Sequence, residues 1–104
     1  MNIRNAKFLR WFGINGIVLW PFVLYADRNP DPVILNHESI HMDQIRRLGV
    51  ARFYVRYLAE YFSGRKKGLS HDEAYRNISF EKEAYLNQHD SYYLAALREK
   101  DART

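Results

Sequence analysis

Apolar residues run together in the first part of the chain and recur at helical spacing after it. "AKFLRWF" and "GIVLWPFVLY" lie on either side of Ile14-Asn15-Gly16. Asn-Gly is a strong hairpin signal, because both residues tolerate the backbone of a tight turn. The two runs predict a β-hairpin over residues 6–12 and 17–25, with Pro21 bending the second strand or confining it to an edge. "DRNPDPVIL" predicts a helix start: Asp31 caps free N–H groups, and Pro32 suits the first helical position because no donor is needed there. That helix is expected over 31–48, with Gly49 as its stop. A middle helix follows over 50–62, its aromatic positions at helical intervals, and "SGRKKG" is expected to end it in a basic loop. "SHDE" reads as a capping box, Ser70 capping and Glu73 reaching back, opening a short helix through about Arg76. A last helix is expected over about 79–99, with "DART" as a frayed tail. The pattern therefore predicts one α+β domain over 1–104, a small N-terminal β-hairpin packed on three to four helices.

Composition narrows what such a domain can be. At 47% hydrophobic and 15% aromatic residues, the chain can build an aromatic-rich core and is not of disordered type. It has no cysteine, which removes disulfides and thiolate zinc sites and fits a reducing compartment. Any zinc would have to be held by His, Asp and Glu. The net charge of +4 permits anionic partners, but no recognisable nucleic-acid motif accompanies it, so nucleic acid is not an expected partner. The densest basic region joins "RKKG" with Arg46, Arg47, Arg52 and Arg56, and is expected to be a solvated face.

Residues 11–26, "WFGINGIVLWPFVLYA", are largely apolar and follow three basic residues. The run is shorter than the roughly 20 residues of a membrane helix and is interrupted by Asn15-Gly16 and Pro21. A folded, uncleaved segment is expected rather than a signal peptide, because cleavage near Ala26 would remove much of the core. No transmembrane segment and a cytoplasmic location follow as expectations.

The chemistry centres on "NHESIHMDQ". Residues four apart share one helix face, so His37 and His41 can point their imidazoles at one metal ion. Zinc accepts neutral imidazole nitrogen and carboxylate oxygen in a tetrahedral shell. Glu38 adjoins the first histidine, where a carboxylate can reach water at that metal and act as general base. Two histidines facing solvent, or finishing a core, is the plainer alternative. A catalytic zinc site normally takes three protein ligands. His71 opens a short helix beside a loop and is expected in solvent, whereas His89 on the last helix can face either way. Glu81 and Glu83, in "ISFEKEAYL", are the stronger candidates, although acidic residues at a helix start are common on electrostatic grounds alone.

An HExxH helix followed by "FEKEA" resembles the gluzincin metallopeptidases, in which two His and one Glu bind zinc. The chain is most similar to their minimal soluble versions, the minigluzincins, over about residues 17–90. The resemblance implies a zincin-like minimal core, Zn2+ held by His37, His41 and Glu81, and Glu38 as the catalytic base, with Glu83 as the fallback ligand. Members of the family often carry an Asp four residues after the ligand Glu, oriented onto a ligand histidine. Here Tyr85 stands in that place, so the support of the histidines is unassigned. Gln44 matches a common HExxHxxQ extension without a defined role. The family pattern also implies that an edge strand borders the cleft and pairs with an extended substrate, a part the hairpin could take if it is not simply core. Relatives can be blocked by a terminal segment, which here would involve Asp90 or the 98–104 tail. No oxyanion residue is assigned among the eight tyrosines.

The expected function is zinc-dependent hydrolysis of a peptide or protein substrate. A catalytically inactive zinc-stabilised scaffold would keep the metal without any role for Glu38. A basic protein-interaction module would bind no stoichiometric metal.

Overall fold

A computed structural model of the chain describes residues 2–12 and 16–103. Its helices carry the site and its small sheet walls one side of it. Strand β1 (Asn2–Ile3) precedes a 3-10 helix at Lys7–Phe12, followed by β2 (Gly16–Leu19) and β3 (Phe22–Tyr25). Five helices follow: α1 (Pro32–Leu48), α2 (Val50–Lys66), α3 (His71–Arg76), α4 (Ser79–Asn87) and α5 (Tyr93–Arg103). The α+β class expected from the sequence is therefore observed.

The hairpin is present but lies elsewhere. Residues 7–12 form a 3-10 helix instead of a strand. In "AKFLRWF" the buried residues Ala6 and Leu9 are three apart, which is the period of a 3-10 turn and not the alternation of a strand. The predicted turn at Ile14-Asn15 lies outside the described residues. Residues 17–25 are not one bent strand either. They split at Trp20-Pro21, and β2 and β3 pair antiparallel around that turn with Leu19 opposite Phe22. Pro21 has no N–H to give a ladder, and in the turn none is required. The sheet order is β1-β3-β2, with β1 parallel to β3. The strand after Pro21 is thus central, and β2 has no strand on its other side among the described residues.

The long helix α1 begins and ends where the sequence places it. Asp31 accepts a hydrogen bond from the Val33 N–H at 2.8 Å, and Gly49 takes φ 99°, a conformation that costs glycine little. The capping box is also observed: Ser70 Oγ accepts from the Glu73 N–H, and Glu73 Oε1 accepts from the Ser70 N–H. Two boundaries need correction. Helix α2 passes through Ser63-Gly64 and ends only at Lys66, before Gly68. Gly64 is a close approach rather than a stop, since a Cβ there would meet the Ala74 Cβ at 3.1 Å. The predicted 79–99 helix is two helices, α4 and α5, separated at 88–92. Asn36 on α1 stabilises this break by donating its side-chain amide toward the carbonyls of Asn87, Gln88 and Asp90, at 3.3, 2.8 and 3.0 Å. Carbonyls that a continuous helix would satisfy internally are satisfied instead by a neighbouring helix.

One core cluster, of Val18, Val23, Tyr25, Ile45 and Phe53, joins the sheet to α1 and α2. Packing of α4 across α1 brings the polar face of α1 inside, so that His37, Glu38, His41, Asp43, Gln44 and Glu81 are all buried. Burying this many polar groups in a chain of 104 residues needs partners for each of them.

Candidate metal centre

Helix α1 presents His37 and His41 one turn apart, and α4 presents Glu81 to both. Glu81 Oε1 lies 3.0 Å from His37 Nε2 and 3.0 Å from His41 Nε2, and the two Nε2 atoms are 3.2 Å apart. Tetrahedral zinc with bonds of about 2.0–2.1 Å would separate its donors by about 3.3 Å. The three buried side chains are therefore close enough to hold one metal ion.

The outer faces of the three side chains are tied down as well. Gln44 Nε2 donates to the Phe80 carbonyl at 3.0 Å and to Glu83 Oε1 at 3.0 Å, and both of those groups can only accept. That fixes the amide so that Gln44 Oε1, 2.8 Å from His41 Nδ1, accepts the imidazole proton. His41 Nε2 is then the nitrogen with a lone pair, and it points at the cluster. His37 Nδ1 lies 2.8 Å from Gln88 Oε1 in the same arrangement. The Tyr57 hydroxyl donates to Glu81 Oε2 at 2.5 Å, leaving Oε1 to face the histidines. Three lone-pair donors held this close repel one another unless a cation or a proton lies among them.

The protonation of the metal-free cluster follows from this geometry. Burial raises the Glu81 carboxyl, but hydrogen bonds with His37, His41 and Tyr57 outweigh it and bring the pKa down to about 2. Burial disfavours the His41 imidazolium, yet the hydrogen bond and charge of Glu81, with Glu38 and Gln44 behind them, raise its pKa above the usual value. Without metal, a proton on His41 faces a charged Glu81. A metal ion binding there has to displace that proton.

Glu38 differs from its neighbours. It is buried at 7% exposure on the same helix as the two histidines, but it does not converge with them and Glu81 on one point. Burial is the main cause that raises its pKa, opposed by His41 and His37 and assisted by Glu81. It lies against the start of β2, where a Cβ on Gly16 would meet its Cγ at 3.3 Å and its Oε1 at 3.4 Å. His37, Glu38, His41 and Glu81 all line one cleft of about 1080 Å³, comparable to small-molecule or peptide sites. Its walls include the four residues of β2 on one side and Tyr75, Arg76 and Tyr85 on the other.

Glu83 does not join the histidines. Its carboxylate accepts from Gln44 Nε2 at 3.0 Å and from the Tyr93 hydroxyl at 2.5 Å, so it braces an amide that braces His41. His89 Nε2 lies 3.4 Å from Gln88 Nε2, outside the cluster, and His71 lines the cleft but pairs with the Tyr61 hydroxyl at 2.8 Å. Tyr85 packs its ring edge-on to His37 with centroids 4.6 Å apart, while the His37 ring nitrogens meet Gln88 and Glu81. Asp90 Oδ1 accepts from the Tyr92 N–H, and among the described residues nothing beyond Gln88 lines the cleft. Sequence reasoning missed Gln88 and Tyr57. Gln88 follows Glu81 by seven residues, two helical turns, and that spacing was the available signal. Tyr57 had none that set it apart from the other tyrosines.

No protein-family model, curated protein or solved structure matches the chain. Among the described residues no helix is long and apolar enough to cross a membrane.

Proposed function

We propose that the chain is a zinc-dependent peptidase of gluzincin type, with His37, His41 and Glu81 as metal ligands and Glu38 as general base. The observation that carries this reading is the convergence of His37 Nε2, His41 Nε2 and Glu81 Oε1 in the same cleft that the buried Glu38 lines. A bound zinc ion would supply Lewis acidity, acidifying water and polarising a carbonyl. The residues of the chain do the rest. Glu38 takes a proton from the attacking water as its oxygen adds to the carbonyl carbon. It returns that proton to the amide nitrogen as the C–N bond breaks. Its raised pKa suits both halves of the exchange, since a carboxylate that binds a proton more firmly is a better base. The free side of β2 along the cleft suits an extended peptide, whose backbone can add to the sheet.

Elemental analysis of untagged protein, followed by hydrolysis of unfolded casein, tests the proposal. About one zinc per chain, with cleavage lost in Glu38→Gln but metal retained, supports it. Full metal content without any Glu38-dependent cleavage leaves a zinc-stabilised scaffold. Absence of metal uptake overturns the reading altogether.

A further inference from the structure

Helix α2 turns Phe53, Tyr57 and Gly64 toward the protein and leaves a second apolar face uncovered. Val55, Leu58 and Phe62 are 68%, 52% and 62% exposed. At i, i+3 and i+7 they form one stripe along the helix. The stripe reaches the mouth of the cleft, because Leu58 lines the cleft together with Leu19 of β2, itself 49% exposed. Tyr54 joins helix to hairpin at that point, its hydroxyl donating to the Val18 carbonyl at 2.9 Å and accepting from the Trp20 N–H at 3.2 Å. The hairpin tip and the helix stripe therefore form one apolar lip.

Charge decides what such a lip would meet. Arg52 lies three residues before Val55, and Arg65 and Lys66 lie three and four residues after Phe62, so cations flank the stripe at both ends. Among the described residues no carboxylate pairs with any of the three. Glu60, the one acid on this helix, is occupied by the N–H and hydroxyl of Ser79 at 2.8 and 2.9 Å. A second copy of the chain laid stripe to stripe would bring these unpaired cations against their own counterparts. An anionic bilayer surface meets both demands at once, taking the protruding side chains among its acyl chains and the cations among its headgroups.

We propose that α2 and the hairpin tip dock the protein on anionic membrane surfaces, with the cleft opening at the headgroup level. Nothing in this inference depends on metal or on hydrolysis. Co-sedimentation with phosphatidylcholine vesicles, with and without phosphatidylglycerol, tests it on the full chain. Binding is expected only to the phosphatidylglycerol vesicles and is expected to fall with added salt. The double variant Val55→Ser, Phe62→Ser removes two exposed side chains, and its fold is checked by circular dichroism. It should bind at least about tenfold more weakly, as loss of one buried aromatic side chain implies. Equal pelleting with neutral and anionic vesicles would overturn the proposal. So would a double variant that binds as well as the parent, or a chain that dimerises through Phe62 in the absence of lipid.

Discussion

Gln44 and His41 are joined by a 2.8 Å hydrogen bond between the amide oxygen and Nδ1, and a backbone carbonyl and Glu83 dictate its direction. The bond selects the tautomer that leaves Nε2 free for a metal. A similar bond from Gln88 serves His37. Replacing either amide with leucine keeps the volume and removes the acceptor. Gln44→Leu and Gln88→Leu should each weaken zinc binding by about 10–100-fold, measured by competition with a chromophoric chelator. His37→Ala should abolish stoichiometric binding. If the leucine variants bind as tightly as the parent, the amides have no part in the site.

Tyr57 should show two effects at once. Tyr57→Phe leaves Glu81 Oε2 buried without a donor, which costs about 1–3 kcal/mol in the metal-free protein. It also lets the carboxylate rotate away from the histidines. Urea unfolding reads the first effect and the visible spectrum of a cobalt-loaded sample reads the second. An unchanged spectrum would mean that the phenol braces the fold and not the ligand.

Acid and base should each destabilise the metal-free chain through the same ion pair. Glu81 is depressed to about 2 from its usual 4.5, so its contribution is present above 4.5 and fades as pH falls toward 2. His41 is raised above its usual 6.5, so its contribution is full below 6.5 and is lost as pH rises through the folded value. The two shifts describe one interaction and are not additive. Thermal unfolding of chelator-treated protein should therefore show greatest stability between about pH 4.5 and 6.5. Glu81→Gln should flatten that profile, and a profile unchanged by the substitution would contradict the pairing.

Gly64→Ala sets helix propensity against space. Alanine in a helix interior is worth about 1 kcal/mol over glycine. The added methyl would lie 3.1 Å from the Ala74 Cβ and 3.3 Å from its Cα, in a fully buried residue that has little freedom to move. Overpacking of this kind costs about 1–3 kcal/mol, so the net effect should be a loss. A melting temperature lower by roughly 5 °C is expected. A rise would show that α2 and α3 can separate without penalty.

Where the sequence was legible, one residue set one local geometry. Asp31, Pro32 and Gly49 bound α1, and Ser70 and Glu73 open α3, because capping depends only on neighbours along the chain. The face shared by His37 and His41 follows from helical spacing in the same way. The break after α4 was not legible, because it is held by Asn36, fifty-one or more residues away in sequence. Gly64 misled for a related reason: glycine marks a stop when nothing lies above it and a contact when Ala74 does. Glu81 and Glu83 are equal in composition and nearly equal in position. Only the packing of α4 on α1 sends one to the histidines and the other to Gln44.

Both histidines and Glu38 ride on α1, while Glu81 comes to them from 40 or more positions along the chain. An ion held by all three ligands would close a loop of that length, as a disulfide does in chains that possess cysteine. This chain has none. The triad is thus a place for a removable cross-link, one that a chelator could open and a metal salt could restore without any redox chemistry. Unfolding rates measured in the two states would report how firmly that staple holds the two halves of the fold.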